Sequence, residues 1–265
     1  MDAREIDAYL RRIGAGRPAR PDVDALRELH LRHLLAVPFE NLSIHLGEPL
    51  GLDEDAVVEK VAGRRRGGMC YELNGAFGAL LRGLGYGVEL LAGRVYQSRG
   101  ERAGELGPPY DHLALRVEVP GGGGTWLADV GFGRHTAYPL RYTTGEAQRD
   151  PGGVFGLGEA PGGDLDVLHD GSPVYRFEQR PRALADFGAT FWYHRTSPES
   201  HFRTSVLCSI LTADGRATLT GRRLVLTGAG DAREERELAP AEVLPAYREH
   251  FGVTLDREPA VAPLP

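Results

Sequence analysis

Lysine is almost missing from this chain of 265 residues. Lys60 is the only one, and arginine carries nearly all the positive charge. That balance is the one a GC-rich coding sequence produces, and no mechanism is read from it. Cysteine is nearly as scarce: Cys70 and Cys208 lie far apart, which fits free thiols in a reducing compartment better than a disulfide framework. No uncharged apolar run is long enough to span a membrane, and the start Met1-Asp2-Ala3-Arg4-Glu5 has no apolar signal region. A cytoplasmic protein without a membrane partner is therefore expected. A formal net charge of −6 gives no electrostatic reason to expect nucleic acid as a partner. The glycines at 121–124 are not followed by Gly-Lys-Ser/Thr, and Gly-x-Ser-x-Gly does not occur. The phosphate loop and the serine-hydrolase elbow thus lose their sequence support. His30 and His33 stand three apart without an acid or cysteine cluster at ligand spacing. They are expected on a solvated helix face, and no metal is expected.

What the chain does have is a cysteine in a chemically loaded place. Arg65-Arg66-Gly67-Gly68-Met69-Cys70-Tyr71-Glu72-Leu73-Asn74 puts Cys70 directly before an apolar pattern on Leu73, Phe77, Leu80, Leu81 and Leu84, one face of a helix. Cys70 then sits in the first turn, where unpaired N–H groups and the positive end of the helix dipole stabilise a thiolate. Arg65 and Arg66 are positioned to add to that effect. Cys208, inside the apolar run Val206 to Ile210, reads as a core strand residue with no chemistry.

A nucleophile needs a base and a residue to orient it. His112 heads an alternating strand that runs to Val119, and Trp126-Leu127-Ala128-Asp129 reads as a second strand ending in an acid. Pro120 and the four glycines after it join the two as a hairpin. A turn centred on residue 122 sets Asp129 opposite residue 115, three places from His112, so pairing the two calls for a bulge or a longer loop. Spacing alone leaves Cys, His and Asp as one reasonable triad among the arrangements open to this chain.

Three zones follow along the chain. Residues 1–87 are expected to form a helical bundle, with Ile6, Tyr9, Leu10 and Ile13 on one face and a second helix from Pro21 or Asp22. Residues 88–188 read as strands and turns, and 151–163, rich in glycine, as a loop. Residues 189–265 hold short strands at 206–212 and 223–227 and a closing helix from Pro240 or Ala241 to Phe251, stopped by Gly252.

Four segments, Arg66 to Asn74, Pro38-Phe39-Glu40-Asn41-Leu42, Asp129-Val130-Gly131-Phe132-Gly133 and Ser197-Pro198-Glu199-Ser200-His201-Phe202, occur in an order and spacing that resemble the arylamine N-acetyltransferase family. The resemblance implies an α+β fold: an N-terminal helical bundle, a central β-barrel and a C-terminal α/β lid around a core related to cysteine proteases and transglutaminases. It implies a catalytic triad of Cys70, His112 and Asp129 and ping-pong transfer of an acetyl group from acetyl-CoA to an arylamine or hydrazine, with no permanently bound cofactor. It places Phe39, Val95, Phe132 and Phe202 at the substrate. Gly131 and Gly133, where backbone can approach a ligand closely, are the expected contacts for the CoA thioester. Arg66 and Glu40 are expected as a buried ion pair steadying the loop before Cys70. The protein is expected as a monomer or homodimer. Three alternatives share some of these features: an amide synthase that releases a polyketide by macrolactam formation on the same triad, a papain-like hydrolase, and a binding module that keeps the fold without catalysis.

Overall fold

The computed structural model describes residues 1–97, 102–228 and 232–261. Helices α1 (Ala3–Ile13) and α2 (Val23–Ala36) begin at Asp2 and Asp22, whose carboxylates accept the first free backbone N–H groups. Ile6, Tyr9, Leu10 and Ile13 all face the core, as their spacing predicts. Strand β1 (Phe39–Glu40) and the short helices α3 (Leu42–Leu46) and α4 (Glu54–Val58) follow, and α4 runs on into a π-helical turn, Glu59–Gly63.

Helix α5 (Cys70–Gly83) is the centre of the molecule. The sequence suggests one apolar face, but every residue from Cys70 to Leu81 is buried. The second face is made of glycine and alanine, which lets neighbours approach closely. A methyl group added at Gly78 would touch Leu115, and one at Gly75 would touch Leu184, each at 3.4 Å. Small residues on one side and leucines on the other let a single helix serve as core on both.

Strands β2 (Gly87–Val95), β3 (His112–Val119), β4 (Gly124–Ala128), β5 (Leu140–Arg141), β6 (Gln148–Asp150), β7 (Gly153–Glu159), β8 (Leu165–His169) and β9 (Ser172–Arg182) form one antiparallel sheet in the order β5-β4-β3-β2-β9-β8-β7-β6. It curls into a nearly closed barrel. At the seam the Gln148 side chain accepts from Arg141 N at 2.7 Å and donates to Arg141 O at 3.0 Å, joining the two edge strands. The stretch 151–163 is therefore not a loop: Gly153–Glu159 form β7, and Phe155 and Leu157, two apart on one face, enter the barrel core. Its glycines disguise the strand, and Gly156 is needed because a methyl group there would lie 2.9 Å from Glu146 O.

Helices α6 (Gly188–Thr196) and α7 (His201–Thr204) lead to β10 (Leu207–Leu211), β11 (Arg216–Thr220), β12 (Arg223–Thr227) and β13 (Arg233–Glu237), and α8 (Pro240–Phe251) closes the chain. The second sheet has the order β1-β10-β11-β12-β13. Its first strand comes from far upstream: Phe39 pairs with Ser209 and Glu40 with Cys208. That pairing stitches the last part of the chain to the segment that also lies beside Gly68, since Glu40 N donates to Gly68 O at 3.0 Å. Cys208 faces the apolar cluster with Leu42, Val243 and Tyr247, and burial raises its thiol pKa well above the ordinary value.

Candidate active site

The β3–β4 ladder pairs Leu115 with Ala128 and Val119 with Gly124, with no bulge. The turn is centred half a residue earlier than a turn on residue 122, so Asp129 continues the ladder opposite Ala114 rather than Leu115. That change of one place alters the face: residues 112 and 114 point the same way, so His112 and Asp129 become diagonal neighbours on one side of the sheet. His112 Nε2 meets Asp129 Oδ2 at 2.7 Å. No bulge or longer loop is required.

Asp129 is buried at 2 % exposure, and its carboxylate is nevertheless fully occupied. Oδ1 accepts from Asn74 Nδ2 at 2.9 Å and from Gly131 N at 3.0 Å, while Oδ2 takes His112. Burial pushes this carboxyl's pKa up, but the His112 charge and hydrogen bond, then His135 and Asn74, outweigh it and hold the pKa well below the ordinary range. The imidazole responds in the opposite sense. Burial disfavours its proton, yet the Asp129 carboxylate and a hydrogen bond with Cys70 raise its pKa to about 10. The ring is fixed by packing edge-on to Phe132 at 5.2 Å and to Tyr175 at 4.8 Å between centroids.

Cys70 enters from α5. Its Sγ lies 3.9 Å from Asp111 O, the carbonyl just before His112, and Cys70 is among the groups that raise the imidazole's pKa. The geometry of Gly131 explains how the loop after Asp129 comes so close: a methyl group there would stand 2.7 Å from Cys70 Cα and 2.7 Å from Asn74 Nδ2. The approach that glycine permits at this position is to the nucleophile's own helix. Gly133, at φ +87°, has open space where a side chain would be.

Asn74 escaped sequence reasoning as a functional residue, although it stands one turn after Cys70 on the same helix face. Besides holding Asp129, its Nδ2 donates to Leu113 O at 2.6 Å and its Oδ1 accepts from Val130 N at 2.9 Å. One amide thus joins α5, β3 and the loop after β4. The signal was available as an i, i+4 polar partner of the cysteine on an otherwise apolar helix.

His30 and His33 are not on a solvated face; both are fully buried. His30 Nε2 accepts from Asp129 N at 3.2 Å and its Nδ1 donates to Ala137 O at 3.0 Å, so it steadies the backbone under the acid. His33 pairs with the Tyr9 hydroxyl at 3.0 Å. Among the described residues no cluster of histidine, cysteine and acid is arranged to hold a metal.

The arginines before Cys70 are committed elsewhere. Arg66 pairs with Glu40 at 3.1 Å, as expected, and also with Glu48 at 2.8 Å, while Arg65 is exposed. The positive group beside the thiol is the His112 imidazole. The glycine pair is explained by two close neighbours: a methyl group on Gly67 would lie 2.0 Å from Pro38 O, and one on Gly68 2.7 Å from Glu72 Oε2. A second buried ion pair went unread. Lys60 Nζ lies 2.6 Å from Glu72 Oε1, and Glu72 Oε2 caps Met69 N at 2.9 Å, at the mouth of the helix that Cys70 begins.

Of the four apolar residues expected at the substrate, Phe132 touches His112. Phe39 and Phe202 are in ring contact at 5.8 Å, Phe132 lies on His112 and Tyr175, and Val95 and Phe132 each pack against the barrel core.

A family model described as N-acetyltransferase matches residues 22–260. The chain belongs to the arylamine N-acetyltransferase family. It is 38 % identical to the arylamine N-acetyltransferase of Mycolicibacterium smegmatis over 96 % of this chain and 93 % of that protein. It is 35 % identical to that of Escherichia coli over 95 % and 89 %. The solved M. smegmatis enzyme superposes with a TM-score of 0.86, covering 96 % of this chain and 93 % of that one. The Mycobacterium marinum enzyme, solved in complex with CoA, gives 0.84 at 34 % identity, covering 94 % and 92 %. The helical N-terminal part and the nearly closed barrel are thus the architecture of this family, and the chain is an acetyltransferase.

Proposed function

We propose that Cys70 carries the acetyl group as a thioester between acetyl-CoA and an arylamine or hydrazine, with His112 as proton carrier and Asp129 as the residue that orients it. The observation that supports this reading is the buried line of Cys70, His112 and Asp129, in which the imidazole holds a proton up to about pH 10 next to the sulfur. In the reacting state Cys70 is the thiolate and His112 the imidazolium beside it. The thiolate attacks the acetyl carbonyl, and the tetrahedral intermediate expels the CoA thiolate, which takes the proton from His112. The amine then attacks the thioester, His112 accepts a proton from its nitrogen, and the Cys70 thiolate leaves.

The negative oxygen of each intermediate needs donors. Glu72 N and Leu73 N donate to Met69 O at 3.0 Å, so the Cys70 N–H, with one from a neighbouring loop, is the donor offered to that oxygen at the start of α5. Asp129 fixes which ring nitrogen faces Cys70 and stabilises the charged imidazole, as the third member of a triad does. Phe39, Val95, Phe132 and Phe202 supply an aromatic-selective wall that also keeps water from the thioester. The CoA thioester approaches along the Gly131–Gly133 loop, where Gly133 leaves room for backbone contact with the ligand.

Intact mass after brief exposure to acetyl-CoA and an acid quench tests the reading. One acetyl group is expected on the native protein and none on Cys70→Ala. Absence of the adduct from the native protein, with Cys70 still alkylated rapidly at neutral pH, would refute acetyl-CoA as the donor and favour a different acyl thioester.

A further inference from the structure

A second hydrogen-bonded chain of acid, histidine and hydroxyl reaches Cys70 through Asp111, whose carbonyl lies 3.9 Å from the Cys70 Sγ. His194, on α6, places Nε2 3.0 Å from Asp111 Oδ1 and Nδ1 3.1 Å from Ser200 Oγ. A carboxylate only accepts, so Nε2–H donates to Asp111, while Nδ1 shares a hydrogen bond with the Ser200 hydroxyl. In residue types this resembles a serine triad, but Ser200 is only 2 % exposed and starts a helical turn. A hydroxyl so enclosed is no nucleophile; the arrangement is a clamp.

What it clamps matters. The Asp111 carbonyl is the group that receives the Cys70 Sγ at 3.9 Å and the Tyr71 hydroxyl at 3.1 Å, and the next residue is His112. The remaining carboxylate oxygen of Asp111 accepts from Val95 N at 3.4 Å. At the other end, the His194 ring stands edge-on to Phe202 at 5.1 Å, and Ser200 opens the turn that carries Phe202. A single imidazole therefore joins the peptide against which the nucleophile rests to the aromatic wall supplied by the C-terminal part of the chain. Both side chains are nearly buried, at 7 % and 11 % exposure, so the bond is shielded from competing water.

We propose that His194 is a positioning residue that, through Asp111 and Ser200, holds the Phe202 wall in register with Cys70 and so decides whether the acyl group passes to an amine or to water. The proposal rests on the thioester reading above. Its logic is geometric. Acylation by the donor needs the sulfur, the imidazole and the oxyanion donors, none of which His194 touches. Aminolysis needs in addition a closed apolar wall that orients an aromatic amine and excludes water.

The test uses the full-length protein and its variants His194→Ala, His194→Gln and His194→Phe, with acetyl-CoA as donor and 4-methoxyaniline as acceptor. Acetylation of Cys70, followed by intact mass, is expected to stay within about twofold of the native rate in all of them. Loss of the acetyl group to water without amine is expected to rise about tenfold in His194→Ala, with a matching rise in KM for the amine and kcat little changed, since small misplacements cost one to two orders of magnitude. Gln, whose amide N–H can reach Asp111, is expected to restore much of the native partition, whereas Phe, which keeps only the ring, is not. An unchanged partition between water and amine in His194→Ala overturns the proposal. So does a parallel fall in acetylation and transfer, which marks general loss of structure. Should His194→Ala fail to fold, Gln against Phe carries the same comparison. A native protein that takes up no acetyl group overturns the thioester reading itself, and this proposal with it.

Discussion

Replacing Glu72 by glutamine removes the negative charge that Lys60 touches directly. The two side chains are 2 % and 3 % exposed and meet at 2.6 Å. Glutamine keeps an oxygen for Met69 N, so the cap of α5 survives, while its NH2, a donor, takes the place of the oxygen that accepted from the ammonium. Breaking a buried pair from one side costs about 3–5 kcal/mol, whereas replacing both partners by neutral groups of similar volume is often close to neutral. The expected outcome is a loss of about 3–5 kcal/mol for Glu72→Gln and recovery of most of it in Lys60→Met/Glu72→Gln. Lys60→Met alone leaves a carboxylate that still caps the helix and should fall between. Urea denaturation followed by tryptophan fluorescence gives the four corners of the cycle, with coupling read as the departure from additivity. A Glu72→Gln cost below about 1 kcal/mol, or a double variant no better than the single, would refute the reasoning by showing that the lysine finds water or another partner. Because Cys70 opens the same helix, acetylation rate should recover in step with stability in the double variant.

Glu40→Gln is expected to be milder, at about 1–2 kcal/mol, because Arg66 keeps its bidentate contact with Glu48; equal costs at Glu40 and Glu72, read from urea midpoints, would contradict the comparison. Gly131→Ala should lower Cys70 acetylation at least about tenfold and cost about 1–3 kcal/mol, since its methyl group would stand 2.7 Å from Cys70 Cα; native acetylation by intact mass would show that the loop simply moves aside. Acid sensitivity follows from the buried histidines. Burial lowers the pKa of His30 and His33 and, outweighing the Asp129 charge, that of His135 to about 4, against an ordinary value of 6.5. These groups bind protons only on unfolding, so their contribution is complete above 6.5 and is lost as pH falls toward the folded values. Three such groups give a limiting slope of about 4 kcal/mol per pH unit. His112, raised to about 10, acts oppositely, its contribution being complete below 6.5 and lost as pH climbs toward 10. Urea midpoints should drop clearly between pH 7.5 and 5.5, and His135→Gln should shrink the drop; equal midpoints would refute the assignment.

The local order of the chain was legible where one face or one cap decides it. The Ile6, Tyr9, Leu10, Ile13 stripe, the Asp22 cap and the Pro240-to-Gly252 helix follow from spacing and end chemistry, because those signals act within a few residues. The β7 strand was hidden by glycines whose reason is a neighbour distant in sequence. The buried histidines were misread for the same cause: nothing near His30 in sequence reveals that Asp129 N will arrive to use it. Lys60 offers the sharpest lesson. Its solitude in the composition points to base usage, and nothing in a separation of twelve residues announces the buried pair with Glu72 that the fold makes.

The candidate site was legible as residue types and not as geometry, and the hairpin shows why. Moving the turn by half a residue exchanges the face on which Asp129 falls, so an uncertainty too small to matter for strand assignment decides whether acid and base can meet. The chain removes that uncertainty with side chains rather than with the turn. Asn74 reaches from α5 to Asp129, Leu113 O and Val130 N at once, and His30 holds Asp129 N from α2. A register slipped by one place would strand all four of these polar groups in the core, at about 1–3 kcal/mol for each one left unpaired. The hydrogen bonds that prepare Asp129 to orient His112 are therefore the same ones that select the register bringing the two together, so the fold cannot take the wrong pairing and keep its core satisfied.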